Sequence, residues 1–112
     1  EPKDLANLVA VGNRLAATVR RPIAWVHMPV PIDRADDAYF APLDELRLAP
    51  ATTLFLGLVH LDDGVPGALR RIAAARAHRA RFGIATECGL GRRDPATIAD
   101  WLALHAAVVA AC

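Results

Sequence analysis

The sequence predicts an α/β fold built on parallel strands, and three observations carry that prediction. Three short apolar runs, residues 23–27, 53–60 and 82–86, recur about every 30 residues, the repeat of a right-handed βα unit. The intervening segments carry apolar residues at helical spacing. None of the three runs alternates apolar with polar residues, which is the signature of strands buried on both faces of a parallel sheet.

Each element follows from local chemistry. Asp4 is placed to cap a first helix whose apolar stripe is Leu5, Leu8, Val9, Leu15 and Val19. That helix is expected to end near Arg20 and Arg21, where basic side chains suit the negative end of the helix dipole, with Pro22 stopping it. Residues 23–27 form the first strand, and Pro29 and Pro31 take the chain out of the sheet at His27. A charged loop over residues 33–37 leads to a short helix within residues 39–46. After the second strand, Asp62 or Asp63 caps a helix over residues 65–80, with Val65, Leu69, Ile72 and Ala73 inward and Arg70, Arg71, Arg76 and Arg79 outward. After the third strand, Asp94 followed by Pro95 is a strong helix start. Ile98, Trp101, Leu102, His105, Val108 and Val109 give the last helix its stripe.

Composition bounds the function. The chain has 112 residues, 54% hydrophobic and 22% charged, with a net charge of +1. That is enough for one domain with a core, and too weak a charge balance to predict nucleic-acid or membrane binding. Residues 1–4 lack the basic start and apolar run of a signal peptide, and no run approaches the roughly 20 apolar residues of a membrane span. Two cysteines, Cys88 and Cys112, with no spacing that asks for a disulfide, suit a reduced cytoplasmic protein.

The chemistry-bearing residues collect at the C-terminal ends of the predicted strands, where α/β proteins place their sites. His27 ends the first strand, His60 the second, and Glu87 and Cys88 the third, ahead of a glycine-rich turn, Gly89-Leu90-Gly91. A thiol in that position suits metal binding or nucleophilic chemistry. Arg92 and Arg93 are read as solvated or as partners of a carboxylate, His78 and His105 as structural, and Cys112 as incidental.

The segment Ile84-Ala85-Thr86-Glu87-Cys88-Gly89-Leu90-Gly91-Arg92-Arg93 resembles the last barrel strand of the cobalamin-independent methionine synthase family. Leu56-Gly57-Leu58-Val59-His60-Leu61-Asp62 is similar to the penultimate strand, and residues 23–28 to the one before it. The resemblance implies that residues 1–112 are the C-terminal part of a partial TIM (β/α)8 barrel, its last three βα units. It further implies a zinc-dependent methyltransferase, in which zinc holds a homocysteine-like thiol as thiolate for attack on a folate-type methyl donor. Cys88 matches a zinc ligand, and His27 stands where the family has a ligating glutamate. Two further ligands, a His and a Cys, belong to an earlier strand that this chain lacks. Asp62 falls about where the family has its general-acid histidine and is the catalytic candidate; His60 and Glu87 are the substrate-binding candidates. The implied partners are a small-molecule thiol and a methyl donor, with activity in a longer parent and not in the 112-residue chain alone. The alternative is a non-catalytic partial barrel that hides its open edges by homo-oligomerising or by docking on a separate N-terminal half.

Overall fold

A run of three β strands organises the computed structural model, which describes residues 3–112. Glu1 and Pro2, part of the N-terminal segment weighed against a signal peptide, lie outside the described residues. The strands β1 (Trp25–Pro29), β2 (Thr53–Val59) and β3 (Gly83–Thr86) form one parallel sheet in the order β1-β2-β3. Helices α1 (Ala6–Thr18), α2 (Asp37–Phe40), α3 (Gly64–Arg76) and α4 (Ile98–Ala111) accompany it, with 3-10 turns at Ala41–Glu45, Leu90–Arg92 and Pro95–Thr97.

The register sorts the strand residues onto two faces. Trp25 pairs with Thr53, His27 with Phe55, and Phe55 with Gly83, so these alternate with Val26, Met28, Leu54, Leu56 and Ile84. The second set lies in the hydrophobic core with Leu5 and Val9 at the start of α1, Phe40 and Leu43 of the β1–β2 connection, Ala68, Ile72 and Ala75 of α3, and Val108 of α4. All the packing is therefore on one face. Trp25 on the opposite face is 61% exposed, and its ring meets Phe55 edge-on with centroids 6.5 Å apart. The expectation of strands buried on both faces fails here. Apolar content without alternation shows that a face is not polar; it does not show that something covers it.

Several boundaries also move. β1 continues past His27 through Met28 to Pro29, because β1 is an edge strand paired only with β2 and a proline there breaks no ladder on the outer side. α1 ends at Thr18, short of Arg20, and its cap is not the expected one: Asp4 Oδ1 accepts from the Ala6 N–H at 2.8 Å, while Leu5 holds the cap position. Leu15 and Val19 are consequently exposed instead of buried. Within the β1–β2 connection, Asp36 caps α2 by accepting from the Tyr39 N–H at 3.0 Å, and the Arg34 guanidinium bonded to it holds its carboxyl down at about 2.

The largest correction concerns α3. Arg71, expected outward, is 1% exposed. Its Nε donates to the Leu58 carbonyl at 2.9 Å, Nη1 to the Ile32 carbonyl at 2.8 Å, and Nη1 and Nη2 to the Asp63 carboxylate at 2.6 and 2.9 Å. Asp63 stands at the N-cap position but makes no capping bond, being committed to this fork. One guanidinium thus ties α3 to the C-terminal half of β2, the loop after β1 and the turn after β2. Ala73, expected inward, is exposed; α3 stops at Arg76, before the expected residue 80. In α4 Trp101 and Val108 are buried, but Leu102 and Val109, expected in the same stripe, are exposed.

Candidate functional site

The sheet and its bulge bring the predicted residues to one end of the fold. His27 is the third residue of β1, not its tip, and its ring crosses the sheet over Gly57 of β2. A Cβ at Gly57 would come 3.3 Å from His27 Nε2 and 3.2 Å from the Thr86 carbonyl, so only a glycine leaves the ring this close to the strand. A β-bulge between β2 and β3 shifts the ladder so that Val59 pairs with Thr86, and the Glu87 N–H continues it by donating to the Val59 carbonyl at 3.3 Å. Cys88 leaves the sheet at that point. Gly89, with φ of 90°, then turns the chain in the left-handed region that favours glycine, and the Arg92 side chain folds against it.

The consequence is that Cys88 Sγ and His27 Nδ1 stand 3.9 Å apart. The thiol is exposed and free. Around them the open sheet face forms a hollow of about 730 Å³ lined by Trp25, Phe55, Ala85, Thr86, Glu87 and Leu90 together with the pair.

His60 sits on the other side of Glu87 and is 4% exposed. Its Nε2 lies 2.7 Å from the Val30 carbonyl, which can only accept, so Nε2 carries a proton. Its Nδ1 lies 3.1 Å from Glu87 Oε2, a contact that requires one further proton shared between ring and carboxylate. Burial pushes the imidazole below its ordinary pKa, against the pull of the Val30 hydrogen bond. The other Glu87 oxygen pairs with Arg93, whose guanidinium stacks over the Trp101 ring at 5.6 Å. This chain of contacts runs Val30, His60, Glu87, Arg93, Trp101. From His60 onward it walls a cleft of about 340 Å³ that also takes in Asp62 and Asp94.

The five predicted site residues line two hollows that meet at Glu87, and His60, Glu87 and Cys88 also share a third. His27 and Cys88 share the open sheet face. His60 and Asp62 share the smaller cleft, and Glu87 lines both. Asp62 lines no hollow with the His27–Cys88 pair. Arg93, read from sequence as solvated or as a carboxylate's partner, proves to pair with Glu87 from the extended position that closes the 3-10 turn Leu90–Arg92. Trp25 went unremarked because an aromatic residue in an apolar run reads as core.

The residues present fit part of a zinc site. Thiolate sulfur at ~2.3 Å and imidazole nitrogen at ~2.0 Å from a tetrahedral zinc stand about 3.5 Å apart, close to the separation seen here. A catalytic zinc takes about three protein ligands. Among the described residues no three His, Cys, Asp or Glu side chains converge as such a group. His27 and Cys88 thus have the spacing of two ligands of such a site, and no third ligand converges with them among the described residues.

Among the described residues no helix is long and apolar enough to cross a membrane. Comparison with known proteins returned no matching family model, no matching curated protein and no matching solved structure.

Proposed function

We propose that this chain is the C-terminal part of a zinc-dependent, thiol-alkylating methyltransferase of the methionine synthase type, contributing the last three βα units of a barrel. The observation that carries the reading is the approach of Cys88 Sγ to His27 Nδ1 at 3.9 Å, from two strands that are not adjacent in the sheet. Sequential strand order with helices packed on one face supports the barrel, since a barrel segment keeps its other face for the interior. Bound zinc would supply Lewis-acid stabilisation of a substrate thiolate at neutral pH. The chain's own residues would do the rest. Cys88 and His27 would ligate; Glu87, held between His60 and Arg93, would orient the substrate-facing edge; Asp62 would exchange protons with groups entering the smaller cleft.

A second reading is favoured by the uncovered face: a non-catalytic partial barrel that buries Trp25 and Phe55 against a second copy or a separate N-terminal half.

Native mass spectrometry with and without zinc, on the chain and on Cys88→Ser and His27→Ala, separates them. The methyltransferase reading expects zinc bound when the chain is joined to the N-terminal part that supplies the missing ligands, and lost in Cys88→Ser, with His27→Ala weakened by about tenfold or more. Undiminished zinc affinity in Cys88→Ser would overturn it, and an assembly that takes up no zinc would favour the second reading.

A further inference from the structure

The opposite end of the sheet carries a site of different chemistry. A cleft of about 590 Å³ opens at the N-terminal ends of β2 and β3, walled by Leu48, Pro50, Leu54 and Phe82, with Thr52 and Thr53 at its edge. Three guanidinium groups line it, Arg76, Arg79 and Arg81, and no carboxylate does. Among the described residues none of the three takes part in an ion pair; Arg76 and Arg81 are exposed, and the half-buried Arg79 differs from the half-buried Arg34 and the buried Arg71, each of which pairs with a carboxylate.

Arg79 is the informative member. Its Nη1 reaches the Leu46 carbonyl only at 3.4 Å, and its Nε is the one buried side-chain nitrogen or oxygen among the described residues with no hydrogen-bond partner. An unpaired buried donor is unfavourable, and it shows that the chain's own acceptors do not saturate this guanidinium. The negative end of the α3 dipole accounts for a basic residue at Arg76. It accounts neither for Arg81, which lies beyond the helix end, nor for the unpaired Nε.

The geometry points to a binding site for a phosphorylated small molecule, a phosphomonoester with an apolar or aromatic body. Three clustered positive charges exceed what one carboxylate neutralises, whereas a doubly charged phosphoryl group accepts two or three guanidinium forks at once. The volume lies within the ~300–1,000 Å³ of small-molecule sites, and Leu48, Pro50 and Phe82 offer an apolar wall for the remainder of the ligand. The site is at the end of the strands away from Cys88, so it stands or falls independently of the zinc reading.

The test is titration of the isotopically labelled chain, followed by amide NMR, with phenyl phosphate, inorganic phosphate and benzoate. The expected result is saturable shifts confined to residues 48–54 and 76–83, with phenyl phosphate binding about tenfold tighter than benzoate. Arg79→Gln and Arg81→Gln should each weaken phenyl phosphate by about tenfold, and Cys88→Ser should leave it unchanged. Arg81 is exposed and is not needed for packing, so Arg81→Gln remains decisive if Arg79→Gln fails to fold. Vesicles containing phosphatidic acid distinguish the source of the phosphate: binding competed by phenyl phosphate assigns a lipid headgroup, and no vesicle binding beside a positive titration assigns a soluble ester. Shifts that fail to saturate, equal response to benzoate, or undiminished affinity in Arg81→Gln would overturn the proposal.

Discussion

Arg71 shows how much one side chain can decide. Four of its donors are spent on two carbonyls and one carboxylate drawn from three separate segments, at 1% exposure. The bonded guanidinium holds the Asp63 carboxyl below the usual carboxylate range. Removing it strands Asp63 and leaves the Leu58 and Ile32 carbonyls unpaired. Arg71→Met should therefore destabilise the fold by about 3 kcal/mol or more, and Arg71→Lys, which cannot reproduce the planar fork, should recover only part of that; urea unfolding midpoints measure both. Nothing in the helix pattern marks this residue. Arg71 neighbours the core residue Ile72 and is one of four arginines in the same stretch, and the identity of the buried one depends on which carbonyls the loops deliver. His78 makes a second prediction at this scale. Its Nε2 and Nδ1 lie 2.6 Å from Asp37 and 3.0 Å from Asp44, an arrangement satisfied only by the doubly protonated ring, and those two hydrogen bonds raise its pKa above the ordinary 6.5. A raised folded-state value means the contribution is fully present below about pH 6.5 and is lost as pH climbs through the folded-state value. The difference in unfolding midpoint between the chain and His78→Gln should shrink as pH rises from ~5.5 to ~8.5, the opposite dependence from the lowered His60 pKa being common to both; a difference that does not change with pH would refute it.

At the scale of elements, local chemistry carried most of the information. Three strands, their parallel order and four helices follow from apolar runs, helical spacing and the Asp94 start, whose carboxylate accepts from the Ala96 N–H at 3.0 Å. The errors share one cause. α1 carries Leu5 and Val9 on one stripe and Val11, Leu15 and Val19 on another; α4 carries Trp101 and Val108 on one and Leu102 and Val109 on another. Within each helix both stripes are apolar at helical spacing, so periodicity alone cannot say which faces the sheet. The choice is tertiary. The same holds for β1 and its open face. The site was legible to the extent that strand tips concentrate chemistry: His27 and Cys88 meet, and Glu87 bridges to His60. Asp62 stands apart from the pair because the turn after β2 carries it toward the α4 side, into the cleft with Arg93 and Trp101. A turn's direction is set by the Asp63–Arg71 fork, which the sequence does not announce.

The molecule as a whole has its uncovered apolar surface in three places: the sheet face with Trp25 and Phe55, the outer stripe of α1 and the outer stripe of α4. α1 precedes the edge strand β1, and α4 follows the edge strand β3. The pattern is that of a sheet prepared for neighbours on both edges and on its free face, and parallel sheets are stable with both faces covered. Burying an aromatic residue of this kind is worth about 1.5–3 kcal/mol, so Trp25, at 61% exposure, is a strong driver of association. The chain should therefore run as a dimer or larger assembly at micromolar concentration, measured by light scattering coupled to size exclusion. Its Trp25 emission should be shielded from acrylamide; Trp101, already buried at 4% exposure, serves as the internal reference. Trp25→Lys should shift the population to monomer while leaving the unfolding midpoint of the monomer nearly unchanged, because the side chain touches little of the helix-covered core. A wild-type chain that stays monomeric with Trp25 freely quenched would mean that this face is tolerated in water. That result would remove the physical reason for placing the three βα units inside a larger barrel.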